Sequence, residues 1–306
     1  MNKEGYIFDK TANLVTIRDP MVLTVGDTYY VTGTQMPYWK GVNDGVHLWS
    51  SRDLREFTHC GIILARSSMP PEMWCRDRFW APEIFDGGNG WFYLTVSCRN
   101  ESENYPHEFG VLLARAREIT GPYEIVSVDK PFTGGIDGTI FRDSDGRFYI
   151  GHAGGKKLNL DEFDPETGEI FREQIVCRAG EEGEWDSIGI EGQCIVFREG
   201  KYFQWYSSWT DGDYRAGLLT ADSIRGPWVK SPHNPVLKSD RDWIKGDHNH
   251  SFGGPDGKDY IVFHAMTPDS KGEALFFERM YIREIVYHAD GTVSICSDAP
   301  AIMNKK

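Results

Sequence analysis

IGIEGQCIVF, residues 188–197, is an apolar stretch that leads into the turn REGK, residues 198–201, and then into a second aromatic stretch, YFQWY, residues 202–206. Two apolar stretches on either side of a short glycine-containing turn are typical of a β-hairpin. Glu191 stands near the beginning of the first stretch. The sequence therefore predicts a β-hairpin that carries a carboxylate at the start of its first strand.

Four further hairpins of this kind are predicted along the chain, and successive hairpins begin 63, 55, 54 and 59 residues apart. The five first residues are Asp19, Pro82, Asp137, Glu191 and His250. Two near-duplicate segments, AREITGPY at 116–123 and ADSIRGPW at 221–228, occupy corresponding places in the second and fourth repeats. Repetition at such a period indicates one structural unit per repeat.

Each repeat contains about four predicted strands, which is the content of one propeller blade. In the third repeat, for example, the outer strands are predicted at residues 157–163 and 170–176. We find no long helical pattern, linker or low-complexity segment. The prediction is an all-β fold, a five-bladed β-propeller with about four antiparallel strands per blade, formed by residues 1–306 as a single domain.

Composition limits the range of functions. The chain has 306 residues, 13 % aromatic residues, 33 glycines and a formal net charge of -13. So acidic a chain is a poor match for nucleic acid or for an anionic membrane surface, whereas a neutral substrate is compatible with it. None of the six cysteines lies in a C-x-x-C pair, which argues against a cysteine metal site.

Location is predicted from the amino terminus. Residues 1–6, MNKEGY, lack the apolar segment of a signal peptide, and no apolar run is long enough for a transmembrane helix. Together with cysteines that look unpaired, this favours a cytoplasmic location.

The heads of the inner strands of a propeller converge at one mouth of its central channel. Asp19, Asp137 and Glu191 are all predicted at such heads, so the fold should bring three carboxylates together. Taken singly, Asp19 before Pro20 is an ordinary turn residue, and the other two are ordinary turn or strand-end acids. Their recurrence at blade spacing favours a shared chemical role.

The motifs resemble those of glycoside hydrolase family 43, five-bladed propeller enzymes that cleave arabinose- and xylose-containing glycans. The resemblance extends over nearly the whole chain. Its carriers are Arg18-Asp19-Pro20, Trp80-Ala81-Pro82-Glu83, Ile136-Asp137-Gly138-Thr139, Glu191-Gly192 and His248-Asn249-His250-Ser251-Phe252.

The resemblance implies inverting hydrolysis. By this resemblance Asp19 is the general base, Asp137 orients the acid and tunes its pKa, and Glu191 is the general acid. The family usually has proline where this chain has Gln193, which leaves the carboxylate itself in place. Glu83 is interpreted as a structural or subsite residue rather than a catalytic one.

The resemblance also implies one channel cation, calcium or sodium, near a histidine of the fifth blade, and no organic cofactor. Strand alternation predicts that His248 and His250 lie on the same face. His250 is slightly favoured as the channel residue because it stands beside Ser251, but the choice between the two stays open.

Aromatic rings bind sugars by stacking on their C–H faces. Trp80, Phe79, Trp39 and Trp209 are therefore candidate substrate contacts, with packing inside the blades as the alternative. Arg279, at the head of a strand in the fifth repeat, is a further candidate for contact with the sugar or the base.

The predicted function is an exo-acting α-L-arabinofuranosidase for small oligosaccharides. In the family, many β-xylosidases carry an additional β-sandwich, and the sequence ends at Lys306 soon after the fifth repeat, which favours this prediction. β-Xylosidase and endo-arabinanase remain alternatives. A third alternative is a propeller that only binds carbohydrate, but such a protein would not need all three carboxylates. The oligomeric state stays open.

Overall fold

Short turns join the apolar runs in sequence order, and the runs become strands of five antiparallel sheets. The computed structural model describes residues 17–38, 41–102, 109–171, 174–210, 212–239, 244–266 and 278–297. The five sheets are arranged as a five-bladed β-propeller, and each blade uses consecutive strands in the order in which they occur along the chain. The predicted fold class is confirmed.

The strand bounds are as follows. Blade 1 contains β1 (Arg18–Val25), β2 (Thr28–Thr34), β3 (Gly45–Ser51) and β4 (Thr58–Ala65). Blade 2 contains β5 (Arg78–Asp86), β6 (Phe92–Arg99), β7 (Gly110–Ala116), β8 (Glu124–Ile125) and a short β9 (Thr133–Gly134) that also pairs with β7. Blade 3 contains β10 (Ile136–Arg142), β11 (Phe148–Gly154), β12 (Lys157–Phe163) and β13 (Ile175–Ala179). Blade 4 contains β14 (Gly189–Arg198), β15 (Lys201–Thr210), β16 (Asp213–Ala221) and β17 (Val229–Lys230). Blade 5 contains β18 (Ile244–Gly253), β19 (Asp259–Met266), β20 (Glu278–Tyr287) and β21 (Val293–Ile295).

The outer strand of blade 3 differs from its prediction. It begins at Ile175 and not at residue 170, because Ile170 forms only an isolated bridge with Phe163. A one-turn 3-10 helix at Arg66–Ser68 follows β4. Among the described residues no helix is long and apolar enough to cross a membrane.

Apolar packing between neighbouring blades closes the ring. Each of five buried clusters of the described residues lies between two adjacent blades, and one of them joins blade 5 to blade 1. In that cluster Val22 and Val31 of blade 1 pack with Val262 and Ile282 of blade 5. Because every blade is built from its own stretch of chain, side-chain packing rather than strand exchange holds these described strands in a ring.

Each inner strand is interrupted by a β-bulge at its head, in β1, β5, β10, β14 and β18. One residue in each bulge has a positive φ: Asp19 (+49°), Ala81 (+43°), Asp137 (+57°), Gly192 (+62°) and His248 (+52°). These five positions, and not those that start the predicted hairpins, are the structurally equivalent ones. Glu191 therefore stands one residue before the position that Asp19 and Asp137 occupy, which corrects the expectation that all three are equivalent.

The bulges also explain two prolines. Pro20 and Pro82 directly follow the positive-φ residues Asp19 and Ala81, where the strand makes no regular ladder bond. Proline cannot donate to a ladder, so a bulge is one of the few places in a sheet where it fits. The Asp-Pro pair thus marks a bulge rather than a turn.

The backbone N–H of each bulge residue has a partner outside its own strand. Four of the five bond to a side chain on the second strand of the preceding blade. The pairs are Asp19 N to His264 Nδ1 (3.1 Å), Ala81 N to Thr34 Oγ1 (2.7 Å), Asp137 N to Ser97 Oγ (2.7 Å) and His248 N to Ser207 Oγ (3.1 Å). Gly192 is the fifth case. The residue on the second strand of blade 3 that could serve as its partner is Ala153, opposite Ile136, and the Gly192 N–H donates instead to Asp137 Oδ2 at 3.0 Å.

Candidate active site

The heads of the inner strands enclose a cavity of about 390 Å³. Its lining includes the three predicted catalytic carboxylates, Asp19, Asp137 and Glu191, together with His248. A non-glycine residue with positive φ costs on the order of 1–3 kcal/mol. Both aspartates and the histidine occupy such positions, and the strained backbone turns their side chains into one space.

Asp19 is held as a carboxylate. Its Oδ2 accepts a hydrogen bond from the hydroxyl of Thr34 at 2.5 Å, and its Oδ1 lies 3.3 Å from His248 Nδ1. Burial by itself would raise its pKa, but the positive charges of His248 and Arg18 and the Thr34 hydrogen bond lower the pKa to about 2. Asp19 is therefore ionised throughout the neutral range, as a base must be.

Asp137 is held in the opposite way. Burial and the negative charges of Glu191 and Asp19 raise its pKa to about 7, although His248 and the N–H of Gly192 act against this rise. Its side chain lies 3.3 Å from Ser97 Oγ and 3.9 Å from His248 Nδ1. Asp137 therefore retains its proton until the pH approaches about 7.

Glu191 lies at the side of the cavity, where two aromatic side chains donate to the same oxygen. Trp209 Nε1 is 3.2 Å and Tyr214 Oη is 2.9 Å from Glu191 Oε1. The sequence predicts Trp209 as a sugar-stacking residue, but Trp209 is not among the described residues that line the cavity. Its indole N–H bonds to the carboxylate of Glu191 instead.

His248 and His250 lie in different cavities, which overturns the expectation of a shared face. The bulge at His248 interrupts the alternation of side chains, so the parity argument fails between these two residues. His248 lies beside Asp19, whereas His250 lines a second cavity formed by the later parts of the inner strands. His248 is thus the histidine beside the carboxylates, while His250 lines the cavity further along the inner strands, and the slight preference for His250 as the channel residue stays a prediction.

The two imidazoles also differ in charge. Although burial opposes it, the charges of Asp19 and Asp137 raise the pKa of His248 to about 8, so His248 is cationic at neutral pH. Burial and the charge of His248 lower the pKa of His250 to about 4, so His250 is neutral.

A calcium or sodium ion does not find a complete donor set in the side chains. Among the described residues there is no group of three or more histidine, cysteine or acidic side chains arranged to hold a metal. Hard cations prefer several oxygen ligands. His248 is cationic, and His250 offers one nitrogen, Nδ1, which is buried without a hydrogen-bond partner among the described residues. The side chains that the structure describes thus do not by themselves supply a full donor set for such an ion.

The remaining predicted contacts divide into three groups. Trp80 lines the cavity, with its indole N–H donating to the Tyr38 carbonyl at 2.7 Å. Phe79, 2 % exposed, belongs instead to the apolar cluster between blades 1 and 2, so its predicted contact with substrate is not supported. Arg279 lies opposite Ala265 on β20 and does not line this cavity. Trp39 lies outside the described residues.

Several residues of the site carry no sequence motif. Two arginines, Arg78 and Arg99, lie on the rings of Trp80 and Phe109 and share Glu101 as their ionic partner. The two rings are 5.7 Å apart and tilted by 51°. Together these residues form one wall of the cavity, rigid and polar at its edges, suited to the mixed apolar and hydroxyl surface of a sugar.

Tyr214, Thr34 and Ser97 were also missed. Tyr214 stands opposite Trp209 across a short hairpin, which is the one signal that could have linked it to the carboxylate of Glu191. Thr34 and Ser97 each lie opposite the residue before a bulge, a position that only the correct blade alignment identifies.

The site combines an ionised carboxylate, Asp19, with a carboxyl of raised pKa, Asp137, a third carboxyl, Glu191, and an aromatic wall. This set is suited to cleavage of a glycosidic bond, which needs both a proton donor and a base. The protein is therefore a hydrolase of the glycosidase class. The model of glycosyl hydrolases family 43 matches residues 14–293, and the chain belongs to that family.

Known relatives agree with this class. The chain is 28 % identical to a β-D-galactofuranosidase of Aspergillus niger, over 77 % of this chain and 71 % of the relative. It is 23 % identical to an extracellular exo-α-(1→5)-L-arabinofuranosidase of Cellvibrio japonicus, over 83 % and 80 %. The structure resembles that of a thermostable family-43 glycoside hydrolase with a TM-score of 0.76 and 26 % identity, covering 91 % of this chain and 92 % of the other.

Proposed function

We propose that the protein is an inverting, exo-acting α-L-arabinofuranosidase that acts on small oligosaccharides. Glu191 is the general acid, Asp19 is the general base, and Asp137 opposes loss of the acid's proton. The observation that carries this proposal is the contrast between the aspartates that share a cavity with Glu191: Asp19 is ionised, while the pKa of Asp137 is raised to about 7.

The proposed reaction balances over two carboxyls and one water. Glu191 gives its proton to the glycosidic oxygen while the bond from that oxygen to the anomeric carbon breaks. Asp19 takes a proton from a water molecule, whose oxygen bonds to the anomeric carbon from the opposite face. The sugar leaves with inverted configuration, Asp19 protonated and Glu191 ionised, and exchange with solvent restores both.

The low pKa of Asp19 has a consequence for the order of events. A carboxylate with a pKa of about 2 is a weak base. Such a base activates water effectively only when the anomeric carbon already carries much positive charge. This matches the oxocarbenium-like transition state of glycoside hydrolysis, in which departure of the leaving group precedes most of the water attack.

The choice of sugar rests on two supports. The cavity has the size of a small-ligand pocket, which favours removal of a terminal group. Two relatives are named for furanose sugars, one for arabinofuranose and one for galactofuranose. The identity to the galactofuranosidase makes β-D-galactofuranosidase the second candidate. β-Xylosidase and endo-arabinanase follow it.

An activity panel tests the proposal. The purified protein is assayed with p-nitrophenyl α-L-arabinofuranoside, β-D-galactofuranoside and β-D-xyloside, and with linear arabinan. We expect the arabinofuranoside to give the highest kcat/KM and proton NMR to detect the inverted anomer first. Retained configuration would contradict the base role of Asp19, and a preference for another panel member would replace arabinofuranose as the sugar.

A further inference from the structure

The general acid proposed above has an unusual pair of partners. Trp209 and Tyr214 both donate to Oε1 of Glu191, at 3.2 and 2.9 Å. The two rings stack on one another, with centroids 4.0 Å apart and planes 12° apart. They face each other across the β15–β16 hairpin, where Trp209 pairs with Tyr214.

The chemistry of these donors restricts where the proton of Glu191 can reside. An indole N–H donates only and cannot accept a hydrogen bond through nitrogen. If Oε1 carried the proton, it would meet the N–H of Trp209 and lose that bond. In the protonated acid the proton therefore belongs on Oε2.

We propose that Trp209 and Tyr214 are positioning residues for proton transfer. They direct the acidic proton to Oε2 of Glu191 and stabilise the carboxylate that forms when the proton leaves. The proposal rests on the acid role of Glu191 given under Proposed function and adds the residues that govern how that acid works.

The pair is firmly supported by its own hairpin. Asp213 accepts hydrogen bonds from the Tyr214 N–H at 3.0 Å and from the Ser239 hydroxyl at 2.6 Å, and its second oxygen accepts from Arg215 Nε at 2.9 Å. Tyr214 is 1 % exposed. A donor held in this way needs little reorganisation when charge develops on Glu191, which is the condition for strong electrostatic stabilisation.

The two donors act on the acid at the moment of transfer. They stabilise the carboxylate that forms on Glu191 as its proton leaves. Removing a donor should slow proton transfer, and it should do so only for leaving groups that need a proton.

The test compares leaving groups in Tyr214→Phe, which removes one hydroxyl. The substrates are 2,4-dinitrophenyl and phenyl α-L-arabinofuranosides, or the same aryl pair of whichever panel sugar is cleaved. A hydrogen bond to a charged group corresponds to a factor of about 10 to 100. We expect kcat for the phenyl substrate to fall by about that factor, with less than about threefold change for the dinitrophenyl substrate and for KM. Trp209→Phe should give a smaller change of the same kind.

Tyr260→Phe is the matched control. Tyr260 also donates its hydroxyl to a carboxylate, Asp256 Oδ2 at 2.7 Å, but on β19 and outside this cavity. It should leave the ratio of the two rates unchanged. A second readout is the alkaline limb of the pH–rate profile, which should move to higher pH in Tyr214→Phe and not in Tyr260→Phe.

The outcomes separate this proposal from the one on which it rests. An equal loss for both substrates in Tyr214→Phe and Trp209→Phe, with melting temperatures near that of the wild type, would overturn the positioning role. Glu191→Gln tests the acid independently: full activity on the phenyl substrate would refute the acid role itself. Impaired Glu191→Gln together with an unaltered leaving-group ratio in Tyr214→Phe would reject only the positioning residues.

Discussion

The two cavities along the inner strands are built by the same five strands and yet differ in chemistry. At the strand heads, a cavity of about 390 Å³ holds Asp19, Asp137, Glu191 and His248. Along the later parts of the strands, a cavity of about 550 Å³ is lined largely by apolar side chains and includes His250. The first coincides with the ring of bulges, and the second lies where the strands pair regularly.

This comparison indicates that the bulges, rather than the channel itself, create the site. A regular strand alternates its side chains, so only every second residue can face the channel. A bulge adds one residue and redirects its side chain. Glu191, the residue before a bulge, and Asp137, a bulge residue, can therefore reach the same cavity.

The charge state changes over the same distance. His248 has a pKa raised to about 8, while His250, two residues further, has a pKa lowered to about 4. A third buried group is Glu83. Burial raises its pKa to about 8, despite the hydrogen bond from Thr139, so Glu83 is largely neutral at pH 7. Of these three buried groups, only His248 at the bulged end is charged at pH 7.

The largest expected difference between the two cavities is the effect on kcat/KM of removing a carboxylate from each. Glu191→Gln and Asp19→Asn should each lower kcat/KM by about 10² to 10⁴, the range of general acid–base catalysis. Asp143→Asn removes a carboxylate that lines the second cavity and accepts a hydrogen bond from Tyr202 at 2.8 Å. The kcat/KM of Asp143→Asn should stay within about threefold of the wild-type value. A comparable loss in all three variants would mean that the bulged end is not special.

The two histidines provide a second test of the difference between the cavities. His248→Gln removes the cation that lies 3.3 Å from Asp19 Oδ1, and kcat/KM should fall by about 10- to 100-fold, as expected for a charge-assisted hydrogen bond. His250→Gln changes a neutral side chain and should cost less than about threefold. If His250→Gln were the more damaging variant and added calcium restored activity, a cation at the second cavity would be part of the working enzyme.

Sequence reasoning recovered the five blades because each hairpin has its own local pattern of apolar runs and turn residues. It also brought Asp19, Asp137 and Glu191 to one place, since strand heads converge in any propeller. In three of the five repeats, however, the predicted first residue of the hairpin is not the bulge residue of that blade. A bulge leaves no distinct periodicity in a sequence. The error about His248 and His250 follows directly from that.

The burial of Phe79, predicted as a substrate contact, has a related cause. Phe79 and Trp80 are neighbours in the sequence, yet one is buried between blades and the other lines the cavity. Which of two adjacent side chains faces inward depends on the strand register, and a one-residue error reverses the answer. Tyr214 and Arg99 were missed because their roles arise from contacts between strands and have no local motif.

The pH dependence follows from the same charges. Asp19 must be ionised, and its pKa of about 2 places the acid limb of kcat/KM below pH 4. The pKa of Asp137 is raised to about 7, so the site loses a proton as the pH rises through that value, and kcat/KM should fall about tenfold per pH unit above it. In Asp137→Asn the alkaline limb should move to lower pH, because the negative charge of residue 137 then no longer opposes loss of the acid's proton. An unmoved limb would show that Asp137 does not act on the acid.

The smallest expected effect concerns stability and has a definite sign. The folded-state pKa of Asp137, about 7, lies above its ordinary value of 3.8, so the folded state binds this proton more tightly than the unfolded state does. Stability is therefore lost as the pH rises from about 4 to 7, by an amount on the order of 4 kcal/mol at most. Asp137→Asn avoids this loss but also removes a negative partner of His248 at 3.9 Å.

We expect a net gain of about 1–2 kcal/mol at pH 7.5, seen as a rise of a few degrees in melting temperature. At pH 3.5 the gain should vanish, because Asp137 is then protonated in the wild type whether the chain is folded or unfolded. Asp143→Asn, at the second cavity, should show no such difference between the two pH values. A destabilised Asp137→Asn at pH 7.5 would mean that the attraction to His248 outweighs burial, and that the gathered carboxylates cost the fold less than their positions imply.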